Sequence, residues 1–181
     1  MSILRIFEAD RPHTPILDTT ESVAIARELG RIGVRFEHWQ AAQTVGSGAS
    51  QDGVLAAYRS DVERIMREGG YSTADVISLT KDHPDKTALR QKFLGEHTHA
   101  EDEVRFFVDG QGLFYLHANG CVYGALCTKG DLISVPAGTT HWFDMGPNPH
   151  LACIRIFTNP EGWVAQFTGS DIGGRFPTLE N

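Results

Sequence analysis

Cysteine is scarce in this sequence. The 181 residues include three, Cys121, Cys127 and Cys153, and no two of them are spaced as C-x-x-C. An odd count without that spacing argues against a disulfide framework and against a zinc ribbon. Reduced thiols in a cytosolic protein fit best, and the sequence assigns no role to any of the three.

Long apolar runs are also missing. No stretch reaches the roughly 18 to 20 residues that a membrane-spanning helix needs. The N-terminal segment meets Glu8, Asp10 and Pro12 early and lacks the positive segment and apolar core of a signal peptide. We therefore expect a cytoplasmic protein that does not associate with membranes.

Basic side chains are in deficit. Sixteen Lys and Arg oppose 23 Asp and Glu, a formal net charge of −7, so a surface that follows nucleic-acid phosphates is not expected. Hydrophobic residues make up 41% and charged residues 22%, which is typical of globular proteins. A chain of this length can build one core without a structural metal, so a metal here would serve chemistry.

The front part, residues 1–90, has mixed periodicity. Apolar residues at helical spacing predict one helix that ends at Gly30 and a second that ends at Gly69, and shorter apolar runs predict two or three strands. The segments in chain order are a strand at Leu4–Phe7, a helix at Val23–Leu29, an extended stretch at Val34–Trp39, a loop of small residues at Gly46–Ser50, a helix at Val54–Met66, a strand at Asp75–Leu79 and a polar segment at Lys81–Lys92.

Residues 91–160 have a different sequence pattern, in which short apolar runs are separated by glycine or asparagine. Such runs predict an antiparallel sandwich or barrel. No linker rich in Pro, Gly or Ser divides the chain, so we expect a single domain over 1–181, mainly β with helices (α+β), ending in an extension at 161–181. The predicted strands are Glu103–Val108, Leu113–Leu116, Cys121–Cys127, Leu132–Val135, His141–Phe143 and Leu151–Phe157, with a turn at Gly110–Gly112.

Histidines cluster in this β-rich part, and His97-Thr98-His99 is the informative pair. Side chains two apart on an extended chain share a face, and Glu103 has the same parity. Two imidazoles and a carboxylate suit a divalent transition metal. His141 is the candidate fourth ligand, because Pro136 and Gly138 bend the chain just before it.

Each histidine taken alone is more often a surface or core residue than a ligand. The joint spacing H-x-H-x3-E, with a second segment that ends in His141, is what favours a metal site. His117 belongs to no motif, and a structural or exposed position is expected for it. No role is assigned to the remaining four, His13, His38, His83 and His150.

The spacing of these residues resembles the two motifs of the cupin superfamily. His97-x-His99-x3-Glu103-x6-Gly110 is similar to part of the first motif, and Gly130-x5-Pro136-x-Gly138-x2-His141 to the second. Gln91 and Met145 stand where the motifs often have glycine and asparagine, and neither position holds a ligand. The resemblance implies a cupin jelly-roll β-barrel with helices added at its N-terminal side.

Most of the chain is similar to the acireductone dioxygenase family of methionine salvage. The phrases KFLGEHTHAEDEVRFFVDG at 92–110 and PAGTTHWFDMG at 136–146 carry this resemblance. It implies one Fe²⁺ or Ni²⁺ per chain and the substrate 1,2-dihydroxy-3-keto-5-methylthiopentene, cleaved with O₂. In this family the iron form gives formate and 2-keto-4-methylthiobutyrate, and the nickel form gives formate, CO and 3-methylthiopropionate.

Further residues are placed near the metal by strand alternation. Arg105 and Phe107 share the parity of Glu103, and a cation among apolar residues needs a matching charge. Arg105 is therefore the candidate for stabilising negative charge on the substrate, a role that the resemblance also implies. The alternative is a surface salt bridge to Glu101 or Asp102.

The remaining candidate site residues rest on weaker signals. Phe143 shares the parity of His141, and Phe93 precedes the first motif; with Phe107 they could line a pocket for the methylthio group or belong only to the core. The resemblance also makes Glu96 a helper in metal loading and Asp102 a relay of conformational change. From the residues alone, both are acidic neighbours of the ligands.

Two other functions stay open at this point: a metal-dependent cupin enzyme of another class, dioxygenase or isomerase, and a non-catalytic cupin that binds a small molecule. The presence of all four candidate ligands and of Arg105 favours the dioxygenase. The sequence does not determine which metal is loaded, because the same ligands accept several. We expect a monomer whose partners are the acireductone and O₂.

Overall fold

The computed structural model describes residues 1–40 and 49–180. Positions 46–48 of the predicted small-residue loop lie outside this range. The described part contains four α-helices and eleven β-strands. The helices are α1 Ser22–Gly30, α2 Gln51–Ala57, α3 Arg59–Gly69 and α4 Lys86–Leu94; the strands are β1 Ile3–Glu8, β2 Pro15–Thr19, β3 Arg35–His38, β4 Thr73–Leu79, β5 His97–Thr98, β6 Glu103–Ala118, β7 Cys121–Thr128, β8 Asp131–Val135, β9 Thr140–Asp144, β10 Leu151–Phe157 and β11 Gln166–Phe167.

The strands form two antiparallel sheets that share β6. The first has the order β11-β5-β9-β6-β7-β1-β2, and the second runs β4-β10-β6-β8-β3. The architecture is mainly β with added helices, as predicted. Over the described residues, the hydrogen-bonded ladder does not close into a continuous barrel.

Strand β6 passes from one sheet to the other at Gly110. Its first half pairs with β8 and β10, and its second half pairs with β7 and β9. Gly110 has φ +72°, and a Cβ there would lie 1.8 Å from the carbonyl oxygen of His150. The predicted turn at Gly110–Gly112 is therefore wrong: glycine here lets one long strand change sheets.

The helices differ from prediction in two places. The single helix expected to end at Gly69 is split into α2 and α3 at Tyr58, whose buried ring lies 4.5 Å from that of Phe106. Helix α4 was not predicted. None of its residues is buried, so it lacks the regular apolar face on which helix prediction depends.

The second sheet is buried on both faces, and its alternation orients the site. Val104 and Phe106 belong to the apolar cluster that α2 and α3 cover, whereas Phe107 belongs to the main core between the sheets. Glu103 and Arg105 share the parity of Phe107, so they face the interior.

In the part of the chain that the structure describes, no helix is both long and apolar enough to cross a bilayer.

Candidate metal centre

Four side chains predicted from the sequence as metal ligands lie close together in the structure. His97, His99, Glu103 and His141 are all buried, and one potential ligand atom from each lies within 4.8 Å of the others. His97 and His141 are direct cross-strand partners in β5 and β9. Glu103 is the first residue of β6, and it pairs in register with Val135 of β8.

Backbone carbonyl groups orient two of the imidazoles. Nδ1 of His97 lies 2.7 Å from the carbonyl oxygen of Gly95, and Nδ1 of His141 lies 2.8 Å from that of Thr139. A proton on each Nδ1 satisfies these contacts, so Nε2 is the nitrogen that would bind a metal, as in most histidine metal sites. His99 has no such bond: its Nδ1 is buried and has no hydrogen-bond partner among the described residues.

The Glu103 carboxylate is the electrostatic centre of the cluster. Its Oε2 lies 2.8 Å from Nε2 of His141 and 3.2 Å from Nε2 of His99, and its Oε1 lies 2.6 Å from Nε of Arg105. Burial alone would raise the pKa of Glu103, but the Arg105 charge and the hydrogen bonds from the two histidines outweigh it and hold the pKa well below its usual range. The group is thus an anion at neutral pH.

The protonation states fit the donor set of a divalent metal. Burial lowers the pKa of His97 to about 4, although its bond to Gly95 acts in the opposite direction. Burial would also lower the pKa of His141, but the hydrogen bond to Glu103 reverses this and raises it. Neutral imidazole nitrogens and a carboxylate are ligands for Fe, Ni, Cu or Zn, and a cation among them would replace the proton that His141 shares with Glu103.

Arg105 lies beside the cluster, and its guanidinium group contacts three aromatic rings. Its guanidinium carbon is 5.1 Å from the ring centroid of Phe143, 5.7 Å from Trp163 and 5.8 Å from Phe114. The short contact to Glu103 is an ion pair in which the Nε–H is not directed at the oxygen. The donor therefore remains available to a further acceptor.

The alternative partners of Arg105 are occupied elsewhere. The Glu101 carboxylate accepts hydrogen bonds from the backbone N–H groups of Thr158 and Asn159. The Asp102 carboxylate accepts from the Tyr71 hydroxyl at 2.6 Å and from the Ala137 N–H at 2.9 Å. Asp102 thus connects the start of β6 with the segment before β4 and with the turn between β8 and β9.

The three predicted pocket residues lie in the main core or pack against it. Phe143 is buried; its ring centroid lies 6.3 Å from that of Phe93 and 4.8 Å from that of Phe114. Phe107 is fully buried in the main core. Phe93, on α4, is partly buried and packs against the same core. Phe143 contacts Arg105, and the Phe93 ring contacts that of Phe143.

Glu96 is buried, and each of its two carboxylate oxygens has a hydrogen-bond partner. Its carboxylate lies 2.8 Å from Nδ1 of His117 and accepts a hydrogen bond of 2.7 Å from the Thr168 hydroxyl. These bonds connect the residue before His97 to β6 and to the segment after β11. His117 thus has a structural partner, consistent with the role expected for it.

Trp163 is a site residue that the sequence analysis missed. Its ring lies 6.5 Å from that of His99, and its indole N–H donates to the carbonyl oxygen of Asp102 at 3.1 Å. It comes from the C-terminal extension, where no local motif marks it. Only knowledge of the fold, which brings 160–163 back beside residue 100 through the bond from Ala100 N to Gly162 O, could have found it.

Two sheets that enclose a buried cluster of three histidines and a glutamate define a cupin with a metal centre. The family model described as "ARD/ARD' family" matches residues 4–165. The chain belongs to this family.

Relatives and a solved structure agree with this assignment. Acireductone dioxygenase from Pseudomonas aeruginosa strain UCBPP-PA14 is 58% identical over 181 residues, all of both chains, and that from Alcanivorax borkumensis is 56% identical over 178 residues, 98% of each. The structure of acireductone dioxygenase from Bacillus anthracis, with a cadmium ion in its active centre, superposes with a TM-score of 0.79 at 30% identity, covering 92% of this chain and 98% of that one.

Proposed function

We propose that this protein is an acireductone dioxygenase that uses O₂ to cleave 1,2-dihydroxy-3-keto-5-methylthiopentene in methionine salvage. The observation that carries the proposal is full-length similarity to acireductone dioxygenases in a chain whose fold gathers His97, His99, Glu103 and His141 within 4.8 Å. These four residues would hold a divalent ion, and the cadmium in the related structure supports a metal at this place.

The ion would supply Lewis acidity, which favours the ionised ene-diol near neutral pH. The protein contributes the charge and shape around it. Arg105 has a guanidinium donor that is buried yet not fully used by Glu103, so it can stabilise negative charge that develops on the substrate. The surrounding rings exclude water, which strengthens that interaction.

The apolar side of the site would hold the methylthio group. Phe143 lies against Arg105, the Phe93 ring packs against Phe143, and Phe107 is buried in the same core. We assign all three to the substrate pocket. Phe143 is the best supported of them, because it contacts the catalytic arginine directly.

Glu96 and Asp102 would act outside the ligand set. The hydrogen bonds of Glu96 to His117 and Thr168 fix the position of its carboxyl group beside His97, which suits a role in metal loading. Asp102 bonds to two other segments through its carboxylate and to Trp163 through its carbonyl group, which suits a relay of conformational change.

The resident metal would be Fe²⁺ or Ni²⁺, one per chain. With iron the expected products are formate and 2-keto-4-methylthiobutyrate, and with nickel they are formate, CO and 3-methylthiopropionate.

We also propose that residues 1–181 form a single cupin domain that works as a monomer in the cytoplasm. The pairing of β1 with β7 and of β4 with β10 supports the single domain, and three free cysteines support the compartment.

Oxygen uptake tests the proposal. Protein purified without added metal, analysed for its metal content, should consume O₂ when the acireductone is added and should release formate. Uptake should disappear after chelation and return with Fe²⁺ or Ni²⁺. A metal-loaded protein that leaves the acireductone intact would instead support another cupin enzyme or a binding protein.

A further inference from the structure

A row of charged side chains crosses the second sheet beside the metal cluster. Arg155 of β10 pairs in register with Arg105 of β6 on one side and with Asp75 of β4 on the other. Residues in register on neighbouring strands point to the same face. Asp75, Arg155 and Arg105 therefore lie side by side, with the two arginines as direct neighbours.

Each arginine has its own carboxylate. Arg105 is paired with Glu103, and Arg155 forms a two-pronged pair with Asp75, with Nε 2.8 Å from one carboxylate oxygen and an Nη 2.5 Å from the other. Like charges directly opposite one another on a sheet are destabilising. The two-pronged pair offsets this repulsion and fixes the plane of the Arg155 guanidinium.

Both arginines contact the same indole ring. The guanidinium carbon of Arg155 lies 5.5 Å from the Trp163 ring centroid and that of Arg105 lies 5.7 Å from it. Phe157 packs against the same ring at 5.7 Å. Trp163 is therefore held by Arg155 and Phe157 and in turn contacts the arginine of the site.

We propose that Asp75 and Arg155 form a positioning unit, which orients Trp163 against Arg105 and so sets the direction of the Arg105 guanidinium at the substrate. Arg155 acts through its neighbours and does not touch the reacting atoms. As a statement about catalysis, this inference rests on the proposed function. As a statement about Trp163, it does not.

The exposure of the pair argues against a role in stability alone. The side chains of Arg155 and Asp75 are 30% and 28% exposed, and such ion pairs contribute little to the free energy of folding. A matched pair exists elsewhere: Arg5 and Asp18 are cross-strand partners in β1 and β2, 3.0 Å apart. In the described part of the chain, no aromatic ring lies under Arg5. Arg5→Met therefore removes an arginine–aspartate ion pair of the same kind, but one that does not orient Trp163.

The first experiment observes Trp163 directly. Protein labelled with 5-fluorotryptophan should give three ¹⁹F resonances, from Trp39, Trp142 and Trp163, and the spectrum of Trp163→Phe identifies the third. Arg155→Met and Asp75→Asn should both move or broaden the Trp163 resonance and leave the other two in place. Arg5→Met should leave all three in place.

The second experiment is a double-mutant cycle on the metal-loaded enzyme. Arg155→Met should lower kcat roughly tenfold, the equivalent of one cation–aromatic contact, with little change in KM. Arg155→Lys should recover part of the loss. In an Arg105→Ala background, Arg155→Met should have no further effect on kcat, because the residue acts through Arg105.

The outcomes separate this inference from the proposed function. An unmoved Trp163 resonance in both variants would overturn the positioning unit, as would multiplicative losses of kcat in the double mutant or a loss confined to KM, which would indicate direct contact with substrate. If the wild-type protein shows no acireductone-dependent oxygen uptake, the proposed function fails, and the fluorine spectra alone decide whether Asp75 and Arg155 orient Trp163.

Discussion

Glu103 is the residue on which the charges of the site converge. It is almost completely buried, yet it stays ionised because His99, Arg105 and His141 all direct positive charge or hydrogen-bond donors towards it. A buried carboxylate with fewer partners would take up a proton. The other residues of the site therefore act in part by setting the charge of this one.

Removal of one imidazole should empty the site without unfolding the protein. His141→Ala should lose most bound metal and activity, because a ligand is missing and Glu103 loses a partner. The fold should persist, since the apolar clusters that hold the sheets together exclude this residue. Metal analysis and circular dichroism check this, with the exposed His150→Ala as the control that keeps its metal. Full occupancy in His141→Ala would remove His141 from the ligand set.

Arg105→Ala should separate binding from catalysis. The variant should bind metal, yet lose catalysis by about 10² to 10³, or about 3 to 4 kcal/mol, the usual effect of removing one charge-stabilising donor. Arg105→Lys should recover only part, because a point charge does not replace a planar donor. Turnover measured against pH should show partial recovery of the alanine variant at higher pH, where the substrate ionises unaided; wild-type turnover would contradict the role.

The depressed pKa of His97 should make the metal-free protein sensitive to acid. His97 titrates at about 4 when folded against 6.5 unfolded, so the unfolded chain binds more protons and stability falls as pH drops from 6.5 towards 4. Between pH 7 and pH 5 this loss is about 2 kcal/mol. His97→Gln should show a correspondingly smaller loss in urea titrations at the two pH values. Parallel losses in both proteins would place the sensitivity elsewhere.

At the scale of elements, β6 is the strand that connects site and core. It begins with Glu103, carries Arg105 two residues later, and continues beyond Gly110 into the other sheet, where Leu116 pairs with His141. One strand therefore carries a proposed ligand and the arginine proposed to act in catalysis, and it also borders the strand that carries another proposed ligand. A change in the path of β6 would therefore displace Glu103, Arg105 and His141 together.

Gly110, where β6 passes from one sheet to the other, should not accept a residue with a side chain. Gly110→Ala should lower the free energy of unfolding by about 3 kcal/mol or more, since both a positive φ and a close approach to the backbone at His150 are violated. Gly120→Ala is the matched control, with φ +75° and nothing within 4 Å of the added Cβ, and should cost about 1 kcal/mol. Equal losses in urea titrations would show that the close approach does not matter.

The sequence predicted the elements whose periodicity reflects their burial. Strand β10 was predicted with its observed bounds, and α1 and α3 have the apolar spacing of buried helices. No residue of helix α4 is fully buried, so its sequence carries a much weaker signal. The glycines at 110 and 112 were interpreted as a turn because local sequence does not reveal whether a glycine bends the chain back or lets a strand change sheets.

The site was predicted by an argument that holds only in part. Alternation on one extended strand was expected to align His97, His99 and Glu103, but β5 ends at Thr98, and positions 99–102 belong to no strand. The three side chains meet because β5 pairs with β9 and β6 begins beside them. Alternation within β6 did place Arg105 correctly next to Glu103, and Trp163 could not be found because its contacts depend on the whole fold.

For the whole molecule, we expect the bound metal to determine the products of the reaction. The same polypeptide, reconstituted once with Fe²⁺ and once with Ni²⁺, should give different products from the acireductone and not only different rates, because the ion influences how the substrate is held. Gas analysis for CO and chromatography of the two carboxylic acids measure this. Identical product ratios would show that the ion does not direct the reaction.

The cross-strand pairing of His97 with His141 has a consequence for the order of events during folding. The two proposed ligands meet only when β5 joins β9, which lies far along the chain, and long-range pairings of this kind form slowly, in milliseconds to seconds. Before that moment the nascent chain has no preformed place for an ion. The place where His97 and His141 meet is therefore assembled late in folding, and under the proposed ligand set an ion would be bound only after these two strands have paired.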